Sequence, residues 1–501
     1  MEHLHLSLQQ IAASSILLAL LPCIFRDPES DGPVVRIRPH WVDTMNPEDT
    51  LTIYRAKNEF KKSEAYRVSP DIIPLDLFNV QDVDVHRRWR RLLSSPLSEG
   101  GLKEVLPQVE ANVRLAIKQI GQEMKVKGAA DIYKWWMCMT TDVIGELTFG
   151  ESFRMLQTGK HILDIEAQSL AGAIVSALPS IGKVPSVLLP HSLVDTIEAI
   201  FRVNTRAETL LEKYRARLDN APPPPPTLFT KIIKAADDDT LSPSELRDNA
   251  RLYIVAGSDT TSNTLTYLVW QTCRHPAVKK KLVKEATSLP DNFTTQQLKD
   301  LPYLNLVISE TLRLHSAAPA GLSRAVPPEG ATIGGYSLPG GTVVVSQAWS
   351  LHRNPDVFPE PDDFKPERWE NPSKRMKDAF HPFGGGSRST GLIYRRPELS
   401  PPTEAMALGP KLGIPQCSTL STIRPTSSPC IKNNNEDITM APEFRESQSG
   451  VVPMTFYAKA QSVKPPLVTN DDAFSEMSPP HRLTLCLGPQ DVQLTPPQSA
   501  E

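Results

Sequence analysis

The sequence predicts a mainly α fold with small β-sheets, on three observations. Apolar residues recur at three- and four-residue spacing across most of Ser95 to Arg217 and again from Ser242 to His315. Short β-branched runs punctuated by glycine and proline flank those stretches on both sides. After Gly391 neither periodicity is sustained, so a disordered tail is expected over residues 390–501.

The elements follow in chain order. Ile11 to Phe25 (IAASSILLALLPCIF) is an uncharged apolar run, shorter than the ~20 residues of a bilayer-spanning helix. Its leading segment, MEHLHLSLQQ, has no basic patch of the kind that opens a secretory signal, so residues 1–31 are expected to be an apolar leader or membrane anchor. GPVVRIRP and LTIYRA read as short strands, with a helix start at Asn46-Pro47-Glu48-Asp49, where proline suits a first turn. LKEVLPQVEANVRLAIKQIGQEM then sets the helical pattern. Residues 221–227 (APPPPPT) fix φ and remove donors at each proline, which makes them a stiff linker inside the domain.

Ser242, with Pro243 behind it and Glu245 three residues on, is a capping box opening one long, largely buried helix, SELRDNARLYIVAGSDTTSNTLTYLVWQTCRH. A second capped segment, TTQQLKDL, leads through Pro302 into the amphipathic YLNLVISETLRLH. GATIGGYSLPGGTVVVSQAW reads as punctuated strands, and NPDVFPEPDDFKPERW as an irregular proline-rich loop.

Composition narrows function. In 501 residues, 40% are hydrophobic and 22% charged, enough apolar matter for a large core. A net charge of -3 without a dense Lys/Arg run gives nucleic acid no electrostatic footing. The six cysteines, at positions 23, 138, 273, 417, 430 and 486, form no CxxC pair, which argues for a reducing compartment and against structural zinc. About a third of the 47 prolines fall after Gly391, where composition changes.

Four segments carry chemistry. Ala256-Gly257-Ser258-Asp259-Thr260-Thr261 places an acid and hydroxyls in an otherwise apolar helix, beside a glycine that costs roughly 1 kcal/mol relative to alanine. Ser/Thr back-bonding there bends a helix and opens room for a small ligand; a tolerated kink is the bland alternative. Glu310 and Arg313 share one helix face. Alone they are an ordinary surface pair, but Arg368 in Phe364-Lys365-Pro366-Glu367-Arg368-Trp369 offers a second guanidinium to the same carboxylate. His381-Pro382-Phe383-Gly384-Gly385-Gly386-Ser387-Arg388 lets backbone approach a planar or anionic ligand, a phosphate loop being one reading although no Gly-Lys-Ser/Thr follows.

In this order and spacing, AGSDTT, ETLR, FKPERW and FGGGSR, joined by GLSRAVPP and HRNPDVFP, resemble the cytochrome P-450 haem monooxygenases, in the style of fungal secondary metabolism. The resemblance covers residues 32–389 and implies a cytochrome P-450 fold truncated after the glycine-rich haem loop. It implies that Glu310, Arg313 and Arg368 are a fold-locking triad. It makes Arg90, in HRRWRRLLSSPLSE, a partner of a haem propionate, with His86 in the companion position usually held by Trp. Arg324 and Arg388 are the other propionate candidates, while Arg87, Arg88 and Arg91 are read as a solvated basic face. Asp259 and Thr260 take the distal proton-delivery roles, and Gly257 makes room for the oxygen. The resemblance further implies haem b, NADPH-derived electrons from a partner reductase, O2, a small lipophilic substrate, and a place on the cytosolic face of the endoplasmic reticulum membrane.

The match breaks at Thr390, which stands where the family carries its iron-ligating cysteine. A threonine hydroxyl is a hard, neutral donor and does not replace a thiolate. RRPELSPPTEA follows where a helix should, so everything after Ser389 departs together, as a reading-frame or splice change would produce. Cys486-Leu487-Gly488 imitates the missing Cys-x-Gly but lacks the preceding glycine loop. Two functions are therefore expected: a working monooxygenase whose ligand segment is altered in this sequence, or an inactive, haem-free relic. Substrate-shaping segments are expected at Ser69 to His86 and Ala171 to Leu189.

Overall fold

The first described elements form a hairpin: β1 (Val34–Arg38) pairs antiparallel with β2 (Trp41–Thr44), Val35 opposite Asp43. The structure, a computed structural model, describes residues 32–55, 60–66, 74–94, 99–160, 163–177, 181, 184–218, 227–234, 241–290 and 293–388. The expected leader 1–31, the proline run as far as Pro226, Thr390 and the tail lie outside those residues.

Asn46 caps α1 (Pro47–Ile53), its side chain accepting from the Glu48 amide, and proline occupies the first turn. LTIYRA was expected to be a strand. Leu51 to Ile53 instead complete α1, because the Asn46-Pro47 cap starts a helix that runs through the β-branched residues, and the second strand is Trp41–Thr44.

The helical body consists of α2 (Val83–Ser94), α3 (Glu99–Lys127), α4 (Ile132–Phe149), α5 (Leu163–Ala177), α6 (His191–Leu218), α7 (Pro243–Arg274), α8 (Pro276–Thr287) and α9 (Pro302–Leu314). α7 opens on the predicted box: the Ser242 side chain accepts from the Glu245 amide, and Glu245 accepts from the Ser242 amide at 2.8 Å. TTQQLKDL forms Thr295–Lys299 with its own capping box at Thr294 and Gln297.

Two apolar cores divide the body. One gathers Val113 of α3, Trp136 and Met139 of α4, and Leu265 and Leu268 of α7 under α8 and α9. The other gathers Trp89 and Leu93 of α2, Ile144 of α4, Val203 of α6, and Leu246 and Ile254 of α7. α4 and α7 pass through both, so residues 256 to 260 of α7 fall between two well-packed ends that hold them in place.

The main sheet has five strands in the order β1-β2-β7-β4-β3, with β3 Lys61–Lys62, β4 Arg324–Ala325 and β7 Val343–Val345. β2 runs parallel to β7, and β7 and β3 flank β4 antiparallel. β5 (Ala331–Ile333) and β6 (Tyr336–Leu338) form a separate hairpin. The proline-rich stretch after β7 is irregular as expected, broken by a 3-10 turn at Pro366–Trp369 and α10 (Lys374–Ala379). Among the described residues, no helix is long and apolar enough to cross a membrane.

Candidate functional site

Glu310 is fully buried on α9, and the structure brings both expected arginines to it. Arg313 donates from Nε to Oε2 at 2.9 Å and from Nη2 to Oε1 at 2.8 Å; Arg368 donates from Nε to Oε1 at 2.9 Å. Trp369 Nε1 and the Lys365 amide add 2.9 and 3.0 Å bonds to the same carboxylate. The outer edge of Arg313 is taken up by the carbonyls of His352, Pro361 and Asp363. A bidentate fork of this kind pins the irregular 359–369 loop to α9.

A second cationic cluster is arranged differently. Lys62 and Arg324 stand directly opposite each other across the β3–β4 pair, on one face, where like charges destabilise. Arg388 reaches back to the carbonyls of Val80 and Gln81 at 2.9 and 3.0 Å, at the entry to α2, and Lys62 donates to the carbonyl of Phe78 in the same segment. His86 and Arg90, one helical turn apart on α2, complete the group. Burial, then repulsion from Arg388 and Arg324, pushes Lys62 down to about 7. Burial and the repulsion of Arg324 and Arg90 lower Arg388 to about 10, and burial with all four cations holds His86 near 3, hence neutral.

Among the described residues, two carboxylates act on this group, Asp76 on Lys62 and Asp82 on Arg388, each favouring the cation. Asp76 pairs with the buried Arg251 of α7 at 2.5 Å and accepts from the Phe78 and Asn79 amides. Asp82 caps α2 through the Asp84 and Val85 amides at 2.9 and 2.8 Å. The structure thus gathers Arg90, Arg324 and Arg388 and adds Lys62, which the sequence did not single out. Arg88 was read as solvated; it is instead ion-paired to Glu245, which also accepts from Trp89 Nε1 at 2.9 Å, so α2 is tied to the start of α7.

On α7, Ala256 and Thr260 share an exposed face one turn apart, and the Thr260 hydroxyl donates to the Ala256 carbonyl at 2.7 Å. Asp259 points away from that face. Its carboxyl is buried, accepts from Asn263 Nδ2 at 3.0 Å, and lies beside Ser169 and Glu166 of α5. Burial first, with Glu166 adding to it, raises its pKa to about 6. Gly257 faces α4: an added Cβ would sit 3.0 Å from Ile144 Cδ1, so the glycine serves a close helix crossing, and Ala256 is the small residue on the open face.

The glycine loop turns through positive φ at Gly384 (71°) and Gly386 (67°). A Cβ at Gly385 would meet Tyr54 Cβ at 2.8 Å, so the loop lies directly on the end of α1. A cavity of about 330 Å³ lined by Leu51, Tyr54, Arg55 and His381 opens on that side.

The model of the family described as Cytochrome P-450 matches residues 29–389. The chain belongs to the cytochrome P-450 family. A cytochrome P-450 monooxygenase of Aspergillus niger, orf2, is 39% identical over 362 residues, covering 71% of this chain and 74% of that protein. A second from Aspergillus niger, azaI, is 37% identical, covering 71% and 81%. The Aspergillus terreus monooxygenase tazI is 38% identical, covering 74% and 77%. In the fold, a cytochrome P-450 crystal structure superposes with a TM-score of 0.60 at 19% identity, over 74% of this chain and 82% of the other.

Cytochrome P-450 proteins hold haem and take electrons from a reductase. The described residues fit one end of that group: the converging cations Lys62, Arg324 and Arg388 suit the two carboxylates of a haem. They do not supply the iron ligand. The free thiols among them, Cys138 on α4 and Cys273 on α7, are both raised by burial, Cys138 to about 12, so neither is a thiolate near neutral pH. The position of the family cysteine carries Thr390.

Proposed function

We propose that residues 32–389 are the catalytic domain of a haem monooxygenase that hydroxylates a small lipophilic secondary metabolite with O2 and electrons passed from NADPH by a partner reductase. The leader 1–31 places it on the cytosolic face of the endoplasmic reticulum membrane, and residues 390–501 form a separate tail. The observation that carries this reading is the exposed Ala256–Thr260 turn, held between two packed cores in the family's acid-and-hydroxyl helix. Haem, when bound, supplies the oxidising chemistry. Thr260 presents a hydroxyl to the open face, and Asp259 keeps a proton on its carboxyl up to about pH 6, one residue away. Arg90, Arg324 and Arg388 bind the cofactor's carboxylates. Glu310, Arg313 and Arg368 hold the loop that leads toward the glycine turn. The secondary-metabolite class is supported by the sequence style of AGSDTTSNTLTYLVW and by the Aspergillus relatives.

A second reading, an inactive relic that carries no haem, is favoured by Thr390 alone. Sequencing the native transcript across the codons for Arg388 to Leu392 separates the two. A Cys-x-Gly followed by an amphipathic helix is the result the monooxygenase predicts. Persistence of Thr390 and the proline-rich tail rules out thiolate catalysis for this product and leaves the relic.

A further inference from the structure

Across the contact between α5 and α7, the buried carboxyl of Asp259 lies beside a second one, that of Glu166. We infer that Glu166 and Asp259 hold a single proton between them, and that Glu166 thereby sets the pH at which Asp259 gives its proton up. Use of that proton at the open face of α7 rests on the proposed monooxygenase reading, whereas the sharing itself is a property of the haem-free chain.

Three helices converge on the pair. Glu166 of α5 and Asp259 of α7 are each only 7% exposed. Asp259 is fixed in place from two sides: Asn263 Nδ2 donates to its Oδ1 at 3.0 Å, and the Thr140 hydroxyl of α4 donates to the Ser258 carbonyl, one residue earlier, at 3.0 Å. Ser169, one turn along α5 from Glu166, donates to the same Asp259 carboxyl. Tyr133, in the first turn of α4, donates to Glu166, and Asp131, the cap of that helix, puts a further negative charge on the Tyr133 side. The side-chain donors to Asp259, Asn263 and Ser169, are thus both neutral. Neighbouring carboxyls in a water-poor contact oppose each other's ionisation, and one proton between them removes a charge and supplies a donor. Burial, opposed by the Ser169 bond and reinforced by Glu166, raises Asp259 to about 6, while burial and then the two carboxyls raise Tyr133 and keep its hydroxyl a donor. A proton passed from Asp259 toward Thr260 leaves two facing carboxylates, and their repulsion draws one proton back from solvent, which restores the charge of the pair.

Infrared difference spectra of the haem-free full-length chain test this by following the protonated-carboxyl band against pH. Isotope-labelled aspartate separates that band from glutamate, and Asp259→Asn identifies it. Glu166→Gln keeps the volume and the hydrogen bonding and removes the acid, so the Asp259 midpoint is expected to fall by about one pH unit. Glu166→Asp draws the carboxyl back by one methylene and should lower the midpoint by less. Ser169→Ala removes a donor to the carboxylate and should raise it. Cooperative thermal melts show that each variant is folded.

An Asp259 midpoint unmoved in Glu166→Gln overturns the inference, because burial alone then sets it, and leaves the monooxygenase reading untouched. If Glu166→Gln does not fold, Glu166→Asp decides by the same rule. A parent in which Asp259 titrates with the exposed aspartates overturns it as well. A midpoint that does not rise in Ser169→Ala places the carboxyl away from α5, with the same result. Conversely, a native transcript that keeps Thr390 removes the monooxygenase while the shared proton of this chain stands.

Discussion

The two arginine-rich clusters of this protein are built from the same residue type, in the same kind of buried surroundings, to opposite ends. Around Glu310 every guanidinium nitrogen of Arg313 has an acceptor, and one carboxylate serves two forks. Around Lys62 the hydrogen-bond acceptors are backbone carbonyls, while Asp76 and Asp82 bond to Arg251 and to the amides of α2 and act on the cations through space. A buried charge is tolerated when it is paired and hydrogen-bonded and is costly when it is not. The first cluster is thus finished by the chain itself and serves the fold. The second holds several cations close together with no such shared carboxylate fork, an arrangement that suits the ligand-binding role proposed for it.

That contrast breaks most visibly at Glu310. Glu310→Ala strands two guanidiniums, one of them fully buried, and is expected to lower unfolding free energy by about 3–5 kcal/mol, read from the urea midpoint at constant m. A loss below about 1 kcal/mol would place the triad with exposed ion pairs and dissolve the distinction.

At Lys62 the expected sign is reversed. Its folded pKa of about 7 lies below the unfolded value of 10.5, so between those limits the unfolded chain holds more protons and stability rises with pH. The haem-free protein should gain stability from pH 7 to 10, at up to about 1.4 kcal/mol per pH unit, and Lys62→Met should lose that slope. Thermal melts at fixed ionic strength across the window measure it.

Asp259 sharpens the comparison with an acid. Its pKa is raised from 3.8 to about 6, so the folded state binds the extra proton, and stability contributed by the neutral carboxyl is lost as pH climbs through that window. Asp259→Asn should flatten the pH 4–6 portion of the curve, a smaller effect because the shift is smaller.

The smallest expected change is at Gly257. Alanine there gains helix propensity of about 1 kcal/mol but crowds Ile144, so the net change should stay within about 1 kcal/mol, and pairing it with Ile144→Val should give a favourable coupling in a double-mutant cycle.

Much of the lock was legible because its signals are local. Glu310 and Arg313 lie three apart on a helix, and the Ser242-Pro243-Glu245 box marks the start of α7 to the residue. Arg90, Arg324 and Arg388 could be named from a resemblance of motifs. Lys62 could not, since its meaning comes from Arg324, 262 positions away, across a strand of two residues that carries no periodicity. Arg88 was misread for the same reason: its partner Glu245 had already been explained as a cap. Gly257 was read as clearance for a ligand because sequence shows that a glycine is present but not which helix presses against it. LTIYRA showed β-branched alternation, yet the local cap upstream decided its conformation.

The parallel pairing of β2 with β7 bears on how the protein is made. Trp41 to Asp43 find their sheet partners only at Val343 to Val345, and Thr50 meets Ser346, 296 positions later, at 2.8 Å. At about 5–20 residues per second, a ribosome needs roughly 15–60 s between the two strands. Throughout that interval the hairpin of β1 and β2 waits with one hydrogen-bonding edge uncovered, while the helices between can already pack. Closure of the sheet therefore cannot begin until Val345 has been made, and its sequence distance makes it a slow event.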